Sequence, residues 1–192
     1  RDHVAKCGYH GWADWSMART NRNLGIPVSA THLSTQPRYG SYEDFNRVLT
    51  PLVAAVIVEP EGDAEFLRWL RERCHEVGAV LIFDEVITGV RWSMGGAQKV
   101  LGVTPDLATF GKAMGNGMPI SALVGKRDIM RRMSPPDNIF YSGTMFGETL
   151  SIAAAIATIK KMERCDVVNH LWGTGFFLSN AVEGMIQSMG LS

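Results

Sequence analysis

The sequence has few cysteines, no excess of charge of either sign and no long apolar run. Its three cysteines, Cys7, Cys74 and Cys165, show neither the CxxC pattern nor metal-site spacing, which is typical of reduced thiols in a cytoplasmic protein. The 19 basic and 19 acidic side chains cancel, so nothing favours binding to nucleic acid or to an anionic membrane surface. We therefore expect neither partner, and we expect a cytoplasmic location.

Metal-site and membrane-anchor patterns are also missing. No metal-ligand spacing joins His10, His32, His75 and His170, and we expect no metal site. No apolar run reaches the roughly 20 residues that a membrane-spanning helix needs. The charged start of the chain at Arg1 does not resemble a signal peptide. We expect the chain to be a fragment of a longer protein.

The composition of 46% hydrophobic and 20% charged residues suits a globular domain. Short apolar runs alternate with amphipathic stretches, which predicts an α/β layered fold. Residues 52–58 and 79–83 read as buried strands, and the helix between them places Phe66, Leu67 and Leu70 on one face. Gly78 is expected to end this helix.

Further elements follow the same pattern. Residues 106–110 and 120–124 read as strands on either side of a glycine-rich turn at 111–117. Two helices are expected at 149–164 and 167–189. The first should turn Ile152, Ala155, Ile156 and Ile159 inward, and the second should be interrupted near Gly173 and Gly175. Residues 20–42 are rich in Asn, Ser, Thr, Pro and Gly and are predicted to be mostly loop.

Two side chains form a candidate catalytic pair. Lys112 lies among glycine and apolar neighbours, where desolvation would favour the neutral amine that attacks an aldehyde. Asp84 follows a buried strand, where a carboxylate is costly without a partner. The pyridine nitrogen of pyridoxal 5'-phosphate (PLP) is such a partner. The simpler role for Asp84 alone is to cap the turn that follows it.

Several motifs in one order resemble a known family. They are VIVEP at 56–60, LIFDEVITGVR at 81–91, TPDL at 104–107 and GK at 111–112. This series resembles the class III aminotransferases, which are PLP enzymes of fold type I. GGAQ at 95–98 and GNGMP at 115–119 narrow the likeness to glutamate-1-semialdehyde 2,1-aminomutase and its relatives. The resemblance implies an incomplete three-layer α/β/α large domain with a mostly parallel sheet.

The resemblance also implies roles for single residues. Lys112 would form the internal aldimine and then move the proton between substrate and cofactor. Asp84 would hold the pyridine nitrogen. Tyr9, in the Tyr9-His10-Gly11 segment, would stack on the ring, with Val86 on its opposite face.

Two more residues acquire roles from the same resemblance. Glu59 would lie near the cofactor and the substrate. Thr144 would reach the PLP phosphate of a neighbouring subunit, which implies a homodimer with a shared active site. Without the family, Thr144 would be read equally well as the cap of the helix at 149–164.

The sequence also departs from the family. Gly147-Glu148-Thr149 replaces the usual Gly-Asn-Pro, and the run that starts at Glu59-Pro60 is more acidic and shorter than usual. Both departures fit a relative that acts on another small amino or keto substrate. Residues 1–165 are expected to form part of the PLP-binding large domain. Residues 166–192 are expected to be a helical segment leading toward a C-terminal small domain.

Three functional readings stay open at this point. The first is PLP-dependent amino-group transfer, by an aminotransferase or by an aminomutase. The second is a PLP-independent Schiff-base lyase that uses Lys112 alone and would not need Asp84 or Tyr9. The third is an inactive fragment or binding module.

Overall fold

A six-stranded sheet forms the centre of the computed structural model, which describes residues 1–137 and 139–191. The strands are β1 His3–Cys7, β2 Ser34–Thr35, β3 Val53–Val58, β4 Val80–Asp84, β5 Leu107–Phe110 and β6 Ala122–Gly125. Their order is β2-β1-β3-β4-β5-β6. All neighbours pair in parallel except β5 and β6, which are antiparallel. The predicted α/β class and mostly parallel sheet are therefore confirmed.

Eight α-helices connect and flank the strands of the described chain. They are α1 Asp14–Met17, α2 Val28–His32, α3 Tyr42–Val48, α4 Ala64–Val77, α5 Gly96–Leu101, α6 Arg127–Met130, α7 Thr149–Arg164 and α8 Val167–Ser188. Short 3₁₀ turns lie at Lys112–Met114 and Arg131–Met133. None of these helices is both long and apolar enough to cross a membrane, as far as the described residues go.

The β3-α4-β4 unit forms most of the core. Asp63 caps α4 by accepting a hydrogen bond from the Phe66 amide at 2.9 Å, and Gly78 ends the helix with a left-handed φ of 69°. The buried face of the helix packs on fully buried strand residues. The helix and its stop at Gly78 are thus confirmed, and β3 and β4 each begin one residue later than predicted.

Asp106, which precedes β5, joins the sheet to its surroundings. Its carboxylate accepts hydrogen bonds from Arg71 Nη1 at 2.6 Å and from the Leu81 amide at 2.8 Å. Lys126 Nζ lies 2.7 Å from the other carboxylate oxygen. This buried carboxylate therefore links α4, β4 and the end of β6.

One expectation about local structure is wrong. Helix α8 continues through Gly173 and Gly175 without a break, because a glycine weakens a helix by only about 1 kcal/mol and keeps its amide donor. Residues 20–42 are mostly loop, as predicted, although they also contain α2 and the short strand β2. β2 pairs with β1, and neither strand was predicted from the sequence.

Helix α7 has the predicted bounds but not the predicted buried face. Ala155 is buried, whereas Ile152 and Ile156 are 40% and 49% exposed. Their apolar side chains therefore contribute to the surface of this chain, and not to its core.

Candidate active site

A cleft of about 480 Å³ lies at the carboxyl ends of the parallel strands. This is the edge where ligands bind in open α/β sheets. The cleft is lined by every residue predicted for the cofactor site except Thr144, namely Tyr9, His10, Gly11, Glu59, Asp84, Val86 and Lys112. The fold thus brings together residues that are more than 100 positions apart in the chain.

Asp84 is the last residue of β4 and has two sets of hydrogen-bond partners. Its Oδ1 accepts from the Val86 amide at 3.2 Å and from the Thr109 hydroxyl at 3.3 Å. Its Oδ2 lies 2.7 Å from His10 Nδ1. Burial alone would raise the pKa of Asp84, but the bonds from His10, Val86 and Thr109 lower it below its ordinary value. Asp84 therefore caps the following turn and also presents an ionised carboxylate to the cleft.

His10 is held on both sides of its ring. Its side chain is only 1% exposed, and Nε2 lies 2.9 Å from the Cys7 carbonyl oxygen. The Cys7 carbonyl and the Asp84 carboxylate therefore hold the ring from both sides and fix its orientation. The sequence placed His10 in the site segment but gave it no role.

Glu59 follows β3 on the same edge of the sheet. Burial, and then the negative charge of Asp84, raise the pKa of Glu59 above its ordinary value. The pKa values of the two neighbouring acids of the cleft, Asp84 and Glu59, are therefore shifted in opposite directions.

Lys112 begins the 3₁₀ turn after β5. Its φ of 39° is in the left-handed region, which is uncommon for a residue with a side chain. Gly111 and Ala113 on either side are buried, but Lys112 itself is exposed. The predicted desolvation of its amine is therefore wrong for this chain, because the side chain opens into the cleft and not into the core.

Aromatic side chains form one wall of the cleft. Tyr9 is 63% exposed and lines it, as does Trp15. The Trp15 ring is stacked with the ring of His10, with 6.5 Å between centroids and 8° between planes. Thr109 was missed from the sequence, although its strand register beside Asp84 follows from pairing β4 with β5.

Thr144 lies outside the cleft. It is exposed, and it does not cap α7, because Glu148 accepts hydrogen bonds from the Leu150 and Ser151 amides at the start of that helix. The capping role that the sequence allowed for Thr144 is therefore wrong. Its role toward a neighbouring subunit stays a prediction.

A second, mostly apolar cavity of about 740 Å³ adjoins the cleft and shares Ser121 and Leu123 with it. Its other walls come from α6 and from the segment before α7, including Met130, Tyr141 and Phe146.

The side chains of the cleft fit a flat cofactor with one carbonyl and one protonated ring nitrogen. Lys112 offers a primary amine, and Asp84 offers an ionised carboxylate. Tyr9 and Val86 supply flat or apolar contact surfaces. PLP has the matching groups.

The sequence and the fold both identify the family. The model of the class III aminotransferases matches residues 5–188, so the chain belongs to this family. It is 40% identical over 178 residues to glutamate-1-semialdehyde 2,1-aminomutase of Nitratidesulfovibrio vulgaris, a match that covers 82% of this chain and 42% of the relative. It is 35% identical over 201 residues to 3-aminobutyryl-CoA aminotransferase of Cloacimonas acidaminovorans, covering 98% and 47%.

Solved structures show the same fold. The PLP internal aldimine form of the FumI protein of Sphingopyxis sp. MTA144 matches with a TM-score of 0.89 at 27% identity, over 99% of this chain and 48% of that one. An omega-transaminase from Sphaerobacter thermophilus matches with a TM-score of 0.75 at 28% identity, over 84% and 44%. The chain spans less than half the length of these proteins.

Proposed function

We propose that the protein transfers amino groups between small amino and keto substrates with PLP as its cofactor. The observation that carries this proposal is the shared cleft of Lys112 and Asp84, an amine and an ionised carboxylate at the carboxyl edge of a parallel sheet. Two structural relatives support it, one described as a PLP internal aldimine form and one as a transaminase with PLP bound.

Each cleft residue has a task in this proposal. Lys112 holds the cofactor covalently through Nζ and, as a free amine, moves the proton at the reacting carbon. Asp84, backed by His10, holds the ring nitrogen in its protonated form. When bound, PLP supplies an electron-poor ring that accepts the electrons left on the substrate carbon. Tyr9 and Val86 keep the ring in place, and Glu59 lies where the substrate enters.

We propose that the working unit is a homodimer in which Thr144 reaches the phosphate of the partner's cofactor. Thr144 is exposed and outside the cleft of its own chain. It also lies within a surface of exposed apolar side chains, which we call the 139–156 face. The face consists of Leu123, Ile139, Phe140, Tyr141, Met145, Phe146, Leu150, Ile152 and Ile156, and Leu123, Tyr141, Met145, Phe146 and Ile152 of these line one cavity together.

The domain boundaries remain part of the proposal. The sheet and the cleft lie within residues 1–165, which we assign to the PLP-binding domain. Helix α8 belongs to a helical segment at 166–192 that leads toward a C-terminal small domain; its last residue, Ser192, lies outside the described residues. Cys7, Cys74 and Cys165 are all free, which supports a cytoplasmic location.

The covalent role of Lys112 is tested by adding PLP and reducing with borohydride. The wild-type protein should gain an absorbance band near the visible edge and, after reduction, a pyridoxyl group on the peptide that contains Lys112. Lys112→Ala should lose the label entirely. Lys160→Ala, which changes an exposed lysine of α7, should keep it.

Two outcomes would contradict this assignment. A pyridoxyl label on another lysine would remove Lys112 from its role. Unchanged PLP affinity in Asp84→Ala would remove Asp84 from its role at the ring nitrogen. Activity with glutamate semialdehyde alone, compared with activity that needs an amine donor and a keto acid, separates an aminomutase from an aminotransferase.

A further inference from the structure

Glu85 is a fully buried carboxylate that faces away from the cleft. It has 0% exposure, and its Oε2 accepts hydrogen bonds from the Thr88 hydroxyl and, at 2.8 Å, from the Ala97 amide. Its Oε1 accepts from the Gln98 amide at 2.9 Å. Glu85 therefore connects the end of β4 to the first turn of α5, across the segment 86–96, which we call the Glu85 loop.

The three partners of Glu85 can all donate a hydrogen bond. A carboxylate accepts from all of them at once. The N-cap residue of α5, Gly95, makes no side-chain cap bond, so Glu85 supplies the acceptor that this helix start needs. A Cβ at Gly96 would lie 2.6 Å from both carboxylate oxygens, and Gly96 has a φ of 75°. Only glycine allows the backbone to come this close.

The Glu85 loop also stores backbone strain. Val90, a buried β-branched residue, has a φ of 52°, a conformation that such residues rarely adopt. Strain of this kind persists only where the surroundings enforce it, and it clusters at functional sites. The start of the loop is at such a site, because Val86 and Ile87 line the cleft beside Asp84.

We propose that Glu85 is a positioning residue that holds the Glu85 loop in its strained form, so that Val86 and Ile87 form a fixed wall against the cofactor ring. This inference rests on the proposed binding of PLP. Glu85 itself touches neither cofactor nor substrate. Its carboxylate acts through the backbone that it ties at both ends of the loop.

The test compares Glu85→Gln with Asp106→Asn by two measurements. Asp106 is also a buried carboxylate that accepts from a backbone amide, but it precedes β5 and does not line the cleft. The rate of amide hydrogen exchange in the PLP-free protein shows directly whether the Glu85 loop stays closed. The affinity for PLP, measured by titrating each folded variant, shows whether Val86 and Ile87 still hold the cofactor ring.

In Glu85→Gln, one of the donors must face the new amide group, so the Ala97 and Gln98 amides should exchange about tenfold faster and PLP should bind about tenfold more weakly. In Asp106→Asn, the exchange of the Leu81 amide should rise, while the exchange of the Ala97 and Gln98 amides and the affinity for PLP stay at their wild-type values. Equal losses of PLP affinity in both variants would show that Glu85 only contributes to overall stability, which would overturn the inference.

The two proposals fail in different ways. A wild-type protein that does not bind PLP refutes the proposed function, and the exchange comparison then still decides whether Glu85 holds the loop. Wild-type binding with unchanged binding in Glu85→Gln refutes the positioning role alone. If Glu85→Gln does not fold, Thr88→Val provides the test of the positioning role, because it removes only one donor to Glu85. Its affinity for PLP should fall roughly threefold. An unchanged affinity overturns the inference.

Discussion

At the scale of single residues, Asp84 and Glu59 show how one sheet edge gives two carboxylates different charges. Asp84 ends β4 and Glu59 follows the neighbouring strand β3, and burial by itself would raise the pKa of each. Asp84 has His10, the Val86 amide and the Thr109 hydroxyl as hydrogen-bond partners, and these lower its pKa below the ordinary value. Glu59 has the negative charge of Asp84 beside it, and its pKa is raised. As the pH rises, Asp84 therefore ionises before Glu59.

Glu59→Gln should stabilise the protein without its cofactor. The folded-state pKa of Glu59 lies above its unfolded value of about 4.3, so its ionised form costs stability above the folded pKa, and this cost disappears below the unfolded one. We expect the melting temperature at pH 7 to rise by about 2 °C. The gain should shrink as the pH is lowered to 4, as followed by circular dichroism.

The matched control is Glu61→Gln, which changes an exposed acid two residues further along the chain. Its melting temperature should follow that of the wild-type protein at both pH values. A gain for Glu59→Gln that persists at pH 4, or a loss at pH 7, would contradict the electrostatic explanation.

The sequence predicted most of the residues in the cleft but not how they contact each other. Asp84 and Lys112 could be singled out because a polar residue after an apolar strand is unusual and needs a partner. The contact of His10 with Asp84 joins residues 74 positions apart, and no local pattern encodes it. The exposure of Lys112 was missed for a similar reason, because glycine and apolar neighbours in sequence do not show which way a turn opens.

At the scale of elements, the accuracy of the predictions followed the strength of the local signal. Elements β3, β4 and α7 begin and end within about one residue of their predicted bounds, and α4 ends at the predicted Gly78, because long apolar or amphipathic runs have clear edges. β2 has only two residues and exists through its pairing with β1, which the sequence does not show. Helix α8 passes through Gly173, Gly175 and Gly184 because its many other hydrogen bonds compensate for their flexibility.

Asp106→Asn should destabilise the protein at neutral pH and make its free energy of unfolding depend less on pH in the acidic range. Burial opposes ionisation, but the bonds from Arg71, Lys126 and the Leu81 amide lower the pKa of Asp106. A lowered folded-state pKa gives stability that is present above the unfolded value of about 3.9 and is lost as the pH falls further. We expect a loss of about 2 kcal/mol at pH 7 that becomes smaller below pH 4, measured by urea unfolding.

Asp128→Asn provides the comparison for Asp106, because it makes the same chemical change at an exposed position of α6. Its free energy of unfolding should stay within about 0.5 kcal/mol of the wild-type value. A similar loss in both variants, or a loss in Asp106→Asn that does not change with pH, would show that the hydrogen bonds of Asp106 are not its cause.

At the scale of the whole molecule, the two edges of the sheet differ. One edge is the two-residue strand β2, which is too short to attract another strand. The other edge is β6, where Leu123 and Val124 are 42% and 46% exposed. Beside β6 lies the rest of the 139–156 face, so an apolar surface extends from an open sheet edge to α7. Contiguous apolar surfaces of this kind mark interaction sites, and the proposed homodimer covers this one.

Phe146→Glu should separate this proposed dimer. Phe146 is 62% exposed and lines the apolar cavity between β6 and α7, so a charge there would be buried without a partner in the interface. Aromatic residues near the centre of interfaces contribute about 2 kcal/mol or more, which is roughly a thirtyfold change in affinity. Sedimentation velocity at micromolar concentration should show a wild-type dimer and a Phe146→Glu monomer. Phe177→Glu, at a position of α8 outside the face that is 72% exposed, should remain dimeric. A wild-type monomer, or equal dissociation of both variants, would exclude the 139–156 face as the interface.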